Sequence, residues 1–193
     1  MQEIEPYFHW REHYTVETDA RSPFFGKEYN EFAYSHSIYN YVIHPQWDAF
    51  GSATLYHKIL FVDYDSGFAV IELIGEWNDC LYNDIMFLKR EIIDHLIREG
   101  VRHFVLVGEN VLNFHGGDND YYEEWFEELE DGWIIGINFQ RHVEQEMVSQ
   151  SIDQFILLGA PLHDMAWRKF KPKDLFTILA QLVQRRLTPS VTT

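Results

Sequence analysis

The sequence predicts an α/β fold, with a mixed β-sheet that contains parallel β-α-β units and is covered by helices. The first observation is the order of segments: after residue 55, β-rich runs alternate with stretches of helical period. Strands that alternate with helices are joined by crossover connections, which make the strands parallel. The second observation is composition: 46% of the 193 residues are hydrophobic, which suits a chain that buries a sizeable core.

Residues 1–50 are predicted to form a β-rich extension packed on an α/β domain that spans residues 51–193. Residues 7–18 alternate large apolar and polar side chains, a period of two that is typical of a half-buried strand. Residues 31–43 are rich in Phe, Tyr, Ile and Val and predict a second strand, which Pro45 ends. We expect these N-terminal strands to extend the main sheet in an antiparallel or mixed arrangement.

The core domain opens with a β-hairpin. Residues 55–64 and 68–74 are β-rich runs joined through Gly67, which can supply the positive φ of a short hairpin loop. From residue 79 the apolar period becomes helical, and we predict one continuous helix over residues 79–99. Asn78 or Asp79 can cap its start and Gly100 can close its end.

The remaining elements continue the alternation of strands and helices. Asp120 and Glu123 form a pair like a capping box and predict the start of a second helix, which Gly132 ends. The other predicted elements are a strand over 103–107, a glycine- and acid-rich loop over 113–118, strands over 133–139 and 155–158, a helix over 141–151 and a final helix that begins near Pro172.

Four segments in the middle of the chain share the pattern of one family. Residues 69–76 form a strand that ends in glycine, and residues 99–107 lead from a helix into the central strand. Residues 132–137 form the next strand, and residues 152–155 lead into the last one. In this order residues 68–158, about half of the chain, resemble a STAS domain, the fold of the anti-sigma-factor antagonists. The resemblance implies a regulatory module with the STAS-like core.

The sequence departs from this family at the phosphorylation site. Members that act as phospho-switches carry Ser or Thr where the central strand runs into the second helix. The matching residues 109–120 contain neither, and no Ser or Thr occurs between Ser66 and Ser149. Asp118 and Asp120 instead place carboxylates near that helix N-terminus, where negative charge is favoured. They are either ordinary caps or a permanent imitation of the phosphorylated state.

Charge and cysteine content exclude several classes of function. The chain has 31 acidic and 15 basic residues, a net charge of −16, so we expect no nucleic-acid partner. The single Cys80 excludes a disulfide framework and a four-thiolate zinc site. The acidic N-terminus does not resemble a signal peptide, and no apolar run approaches a membrane span. We therefore expect a cytoplasmic protein without a membrane partner.

The loop at residues 115–120 is the candidate for a metal or small ligand, because it combines His115 with carboxylates. Loops rich in Gly, Asn and Asp are more often turns, so we predict no metal and no cofactor. No residue is assigned a catalytic role, because no motif of a known reaction is present.

Three functional hypotheses follow. The preferred one is a non-enzymatic regulatory or interaction module that presents the 110–120 loop and the acidic second helix to a protein with a basic patch. The second is a small-ligand-binding protein or enzyme with its site at the C-terminal strand ends. The third is self-association between the acidic helix and the basic C-terminal helix. The candidate binding residues are Asn110, Asn113, His115, Asp118, Asp120, Glu123, Glu124, Glu127 and Glu128.

Overall fold

The computed structural model describes residues 2–34 and 36–187, and its strands fall into two sheets. The smaller sheet has the order β1-β3-β2 and the larger one the order β4-β5-β6-β7. The strands are β1 (Gln2–Ile4), β2 (Ser37–Ile38), β3 (Tyr41–Ile43), β4 (Leu55–Asp63), β5 (Phe68–Asn78), β6 (His103–His115) and β7 (Trp133–Ile137).

The larger sheet is mixed, as the sequence predicts. β4 and β5 form the predicted antiparallel hairpin, and Gly67 in its loop has a φ of +62°. β5 pairs with β6 in parallel, and β6 pairs with β7 in parallel. The predicted α/β class with parallel β-α-β units is therefore confirmed.

The N-terminal segment differs from the prediction. Residues 7–18 contain a 3-10 helix (His9–Glu12) followed by turns, and the N–H of Tyr14 donates to the carbonyl of Trp10 at 3.0 Å. Trp10 and Val16 are both buried, but they belong to different apolar clusters on opposite faces of the large sheet. The apolar residues of this segment therefore pack into two separate parts of the core instead of lining one face of a strand. The predicted strand is wrong.

The predicted strand over residues 31–43 is reduced to β2 and β3, which are antiparallel to each other. Together with β1 they form a separate sheet and do not extend the larger one. The outer edge of β4 is instead covered by an isolated antiparallel bridge, in which Asp48 and His57 exchange backbone hydrogen bonds of 2.7 and 3.0 Å.

The predicted continuous helix over residues 79–99 is broken, and the expectation of one element is wrong. α1 (Asp79–Tyr82) ends at Asn83, whose φ of +53° is left-handed. α2 (Asp84–Phe87), a π-helical segment (Leu88–Ile93) and α3 (Asp94–Arg98) then follow without a gap. The carboxylate of Asp79 accepts the N–H of Ile85 at 2.8 Å, a bond that replaces regular helical backbone pairing at the break.

Both predicted caps of this region are confirmed. The side chain of Asn78 accepts the N–H of Leu81 at 2.9 Å and caps α1. Gly100 has a φ of +95° directly after the last helical turn, and its N–H donates to the carbonyl of Ile97.

The later helices lie close to their predicted positions. They are α4 (Asp120–Glu128), α5 (Arg141–Ser149) and α6 (Pro172–Leu187). The predicted strand over residues 155–158 is wrong, because only Leu157 pairs with β7, through a single parallel bridge to Ile135.

Two apolar layers cover the large sheet. Residues of α2 to α5 form the layer on one face, with Trp125 and Met147 fully buried. The N-terminal 3-10 helix, residues 162–170 and α6 form the layer on the other face, where Trp10 and Trp167 pack with ring centroids 5.2 Å apart. No helix within the described residues is long and apolar enough to cross a bilayer.

Candidate functional site

The carboxyl ends of β5 and β6 bring two of the sequence-predicted residues together. Asn113 is the register partner of Glu76, and His115 lies two residues further along β6. The hydroxyl of Tyr39 donates to Glu76 Oε2 at 2.5 Å, and Asn113 Nδ2 donates to the Tyr39 hydroxyl at 3.4 Å. His115 Nε2 lies 3.7 Å from Glu76 Oε1. These residues form an exposed polar cluster at the strand ends.

The structure corrects the extent of the predicted loop. β6 continues to His115, so Asn110 and Asn113 lie within a strand and only residues 116–119 connect it to α4. Asp118 and Asp120 are exposed on this connection and at the first position of α4.

The loop is held in place by a buried carboxylate beneath it. A Cβ added to Gly117 would lie 3.0 Å from the Asp79 carbonyl oxygen, so the backbones are in close contact. The Asp79 carboxylate accepts hydrogen bonds from Trp77 Nε1 at 2.9 Å and the Tyr122 hydroxyl at 2.6 Å. Burial raises the pKa of Asp79 to about 6 in spite of these donors. Tyr122 therefore ties α4 to the first residue of α1, directly after β5.

The acidic helix α4 divides into a paired and an unpaired side. Lys89 has no exposed side-chain surface, and its ammonium donates to Glu128 Oε2 at 2.7 Å and to Glu124 Oε1 at 3.4 Å. Arg90 donates to both oxygens of Glu124, at 2.5 and 2.8 Å. Glu124 and Glu128 are thus neutralised from within the chain, which the sequence pattern did not reveal.

The same lysine accounts for the cluster of acids that has metal-binding geometry. Oxygens of Asp94, Glu124 and Glu128 all lie within 4.8 Å of one another. Lys89 forms an ion pair with each of the three, including a short contact with Asp94. The ammonium group of Lys89, together with the Arg90 guanidinium that pairs with Asp94 and Glu124, therefore already offsets most of the negative charge where the three carboxylates converge.

The outer side of α4 keeps its negative charge. Asp120, Glu123 and Glu127 are exposed, and no ion pair within 4 Å joins them to any described residue. Phe126 lies beside this stripe with 45% of its surface exposed, and its ring is 6.2 Å from that of Phe155. We call Asp120, Glu123, Phe126 and Glu127 the acidic stripe.

The comparisons with known proteins add no relative. No protein-family model, curated protein or solved structure significantly matches the chain. The resemblance of residues 68–158 to a STAS domain therefore stays a prediction.

A cavity of about 480 Å³ lies at the carboxyl end of β7, away from the predicted loop. None of the nine candidate residues contributes to its lining. The lining residues are Phe139, Arg141, Glu144, Gln145, Gly159, Ala160 and His163.

The structure also shows a row of buried charges that the sequence analysis missed. Asp48 has no exposed side-chain surface and accepts hydrogen bonds from Lys27 Nζ at 2.6 Å, Lys58 Nζ at 3.3 Å and the Tyr29 hydroxyl at 2.8 Å. Burial lowers the pKa of Lys58, and it lowers that of the adjacent His57 to about 4.

On the same face of the sheet, Glu72 lies opposite Lys58 and is 1% exposed. Glu72 Oε2 accepts the N–H of Tyr7 at 2.8 Å, and burial raises the pKa of Glu72 to about 7. Arg168 pairs with Glu109 at 2.7 Å and approaches Glu72 to 3.9 Å. One signal was visible in the sequence, since Lys58 and Glu72 each interrupt an otherwise apolar strand core.

Proposed function

We propose that the chain is a non-enzymatic regulatory or interaction module with a STAS-like core, which binds a protein partner carrying a basic patch. The acidic stripe on α4 is the proposed contact surface. The observation that carries the proposal is the asymmetry of α4, whose inner carboxylates are paired with Lys89 and Arg90 while its outer ones are not.

The energetics of the helix support this surface. Glu123 and Glu127 are four residues apart and both exposed, and like charges at this spacing destabilise a helix by about 0.2–0.5 kcal/mol per pair. A basic partner removes this repulsion when it binds, and the charge complementarity accelerates its approach. Phe126 supplies an exposed aromatic ring that a partner can cover beside the charged stripe.

The proposed module has no hydroxyl switch in the region that matches the family's phosphorylation site. Tyr121 and Tyr122 are the only hydroxyl residues from Gly67 to Val148 apart from Tyr82, and Tyr122 is fully buried. Asp118 and Asp120 carry permanent charge at the start of α4. Binding is therefore proposed to be constitutive.

Self-association through the basic C-terminal helix has less support. Lys173 pairs with Asp63 at 3.3 Å, and Arg186 donates to the carbonyls of Leu158 and Ala160. These cations already have partners within the chain.

A small-ligand-binding protein or enzyme is the second candidate, favoured by the cavity of about 480 Å³ at the end of β7. Ligands of open α/β sheets bind outside the carboxyl ends of the strands. Arg141 and His163 would offer polar contacts there. Binding of a small molecule that is lost in Arg141→Ala would favour this candidate.

The main proposal is tested with a synthetic amphipathic peptide that alternates lysine and leucine, and with its glutamate counterpart as the negative probe. We expect Glu123→Gln/Glu127→Gln and Phe126→Ala to weaken binding of the basic peptide about tenfold, and salt to weaken it further. Glu12→Gln/Glu146→Gln is the matched control, because both residues are exposed on other surfaces and the charge change is equal.

A photoreactive residue at position 126 then identifies the cellular partner by crosslinking. Equal loss of peptide binding in the stripe variant and in the control would show that only net charge matters and would contradict the proposal. A captured partner without a basic patch at the crosslinked position would contradict it as well.

A further inference from the structure

We propose that a cavity between the N-terminal extension and β4 binds a small aromatic monocarboxylate. The cavity has a volume of about 240 Å³ and shares no lining residue with α4 or with the cavity at the end of β7. Lys27 and Tyr29 line one side, His44 and Trp47 follow β3, and Tyr56 belongs to β4. This site goes beyond the proposed interaction function and does not depend on it.

Lys27 is the anchor for the carboxylate group. Asp48 binds two ammonium groups, Lys27 at 2.6 Å and Lys58 at 3.3 Å, so one negative charge faces two positive ones. The side chain of Lys27 is 37% exposed and lines the cavity, whereas that of Lys58 is 8% exposed and lies behind. An ammonium group keeps donor capacity beyond its one bond to Asp48.

Aromatic rings form much of the cavity wall. Tyr29 is fixed by its hydroxyl bond to Asp48, and Lys58 Nζ lies 3.8 Å from its ring centroid. Trp47 is buried, and its indole N–H donates to the carbonyl of Ile4 at 2.7 Å, which fixes the orientation of the ring. Tyr56 is the third ring. Rigid aromatic walls favour a planar ligand that can stack or pack edge-on.

Tyr56 offers a second polar contact. It is 5% exposed, and its hydroxyl has no hydrogen-bond partner among the described residues. This hydroxyl lies in the cavity wall and is free to donate a hydrogen bond to a group that enters the cavity. Burial raises the pKa of Tyr56, so the hydroxyl keeps its proton and can donate to a carboxylate.

The acids near the cavity restrict the charge of the ligand. Glu28 lines the cavity and is exposed, and Asp48 lies directly behind Lys27. Both would repel a multiply charged anion such as phosphate. Glu17 lies near Lys58, where it lines a different and much smaller cavity of about 20 Å³. A single carboxylate on an apolar ring satisfies Lys27 and Tyr56 without a strong penalty.

The test is a titration of the full chain with four probes, monitored by two-dimensional NMR. Benzoate is the expected ligand, benzamide is its neutral isostere, cyclohexanecarboxylate lacks the planar ring and inorganic phosphate lacks the apolar body. We expect benzoate to shift the signals of Trp47 and Tyr56 saturably and to bind at least about tenfold more tightly than the other three.

Two variants test whether benzoate binding depends on Lys27 and Tyr56. Lys27→Met removes the ammonium group and should weaken benzoate binding about tenfold, while Tyr56→Phe keeps the ring and should weaken it about threefold. Lys173→Met, on an exposed lysine of α6, is the control and should bind like the original chain. Tyr56→Phe removes a single oxygen atom and should leave the fold intact. If Lys27→Met does not fold, Tyr56→Phe alone tests whether benzoate binds in this cavity.

The site is disproved if benzoate produces no saturable shift up to ~10 mM, since a ligand that needs more than this binds with less than about 3 kcal/mol. Equal binding of benzamide or cyclohexanecarboxylate, or tighter binding of phosphate, would overturn the ligand class. Unchanged benzoate binding in both variants would place the ligand elsewhere. All of these readouts are independent of basic-peptide binding at α4, so the two proposals fail separately.

Discussion

Lys58 and Glu72 face each other across the β4–β5 pair, but they do not bind each other. They are register partners on neighbouring strands, and no ion pair within 4 Å joins them. Lys58 binds Asp48 instead, and Glu72 accepts the backbone N–H of Tyr7. Both partners belong to the first 50 residues, so two buried charges of the main sheet fix the N-terminal extension in place.

Glu72→Gln should stabilise the chain above neutral pH. Burial raises the pKa of Glu72 from 4.5 to about 7, so the folded state binds this proton more tightly than the unfolded state does. The contribution of Glu72 to the free energy of unfolding is therefore largest below pH ~4.5 and falls as the pH rises to ~7. Glutamine can still accept the N–H of Tyr7 and carries no charge, so we expect a gain on the order of 1–3 kcal/mol at pH ~8.

Urea denaturation at pH ~5 and ~8 measures this gain as a difference between the variant and the original chain. All other titrating groups are common to both proteins and cancel in that difference. A stability difference that does not grow with pH would show that Glu72 is already ionised in the folded chain at pH ~5.

Tyr122→Phe should destabilise the attachment of α4 to the start of α1. The lost hydroxyl donates to Asp79 Oδ2 at 2.6 Å, and the loss of a partner for a buried carboxylate costs about 1–3 kcal/mol. The pKa of Asp79 is already raised by burial to about 6 and should rise further without this donor. The destabilisation should therefore be larger at pH ~8 than at pH ~5, where protonation of Asp79 relieves part of it.

Tyr121→Phe is the matched control for this measurement by urea denaturation. Tyr121 is the preceding residue, is half-buried, and its hydroxyl makes no hydrogen bond to a described residue. We expect a change below ~0.5 kcal/mol for it. An equal effect of the two variants would contradict a specific role of the bond to Asp79.

The sequence was sufficient for the parts of the fold that depend on local signals. The hairpin at Gly67 and the caps at Asn78 and Gly100 each follow from one residue type in one conformation. The break at Asn83 was missed, because it depends on the Asp79 carboxylate bonding to the N–H of Ile85 in three dimensions. Such side-chain bonds leave no trace in the period of apolar residues.

The candidate site was less predictable for the same reason. Sequence spacing placed Glu123, Glu124, Glu127 and Glu128 on one helix, and this is correct. It did not show that Lys89, from a distant segment, reaches Glu124 and Glu128. Contacts between residues 35 or more positions apart depend on how the helices pack. The spacing of residues along the sequence does not show that packing.

Gly132→Ala should disrupt the connection between α4 and β7. A Cβ at this position would lie 1.9 Å from the carbonyl oxygen of Arg102, which accepts the N–H of Trp133 at 3.1 Å. The carbonyl cannot retreat without losing that hydrogen bond, which joins the residue before β6 to the first residue of β7. We expect a loss of more than ~3 kcal/mol in urea denaturation, or a chain that does not fold.

Gly26→Ala separates this steric effect from backbone strain. Gly26 has a φ of +73°, and an added Cβ there would meet nothing within 4 Å. The expected cost is about 1–2 kcal/mol, because only the left-handed conformation is penalised. If Gly26→Ala were as harmful as Gly132→Ala, close approach to Arg102 would not be the cause.

The two sides of α4 should respond in opposite directions when their charges are removed. Glu124→Gln/Glu128→Gln takes away the carboxylates that bind Lys89 and Arg90, and Lys89 is fully buried. A buried charge that loses its partners is strongly destabilising, although Asp94 keeps one contact with this lysine. We expect a loss of roughly 1–3 kcal/mol, because the carboxylates themselves are partly exposed.

Glu123→Gln/Glu127→Gln removes the same number of charges from the exposed side, where no cation within the described residues pairs with them. The repulsion between these two residues is relieved, so we expect a gain of about 0.2–0.5 kcal/mol. Thermal and urea unfolding at low and high salt measure both variants. Salt should reduce the gain, because it already screens exposed charges, and should affect the loss at Lys89 much less. If both variants changed stability equally and in the same direction, α4 would respond to net charge alone. The paired and unpaired carboxylates would then not differ, and the acidic stripe would lose its basis.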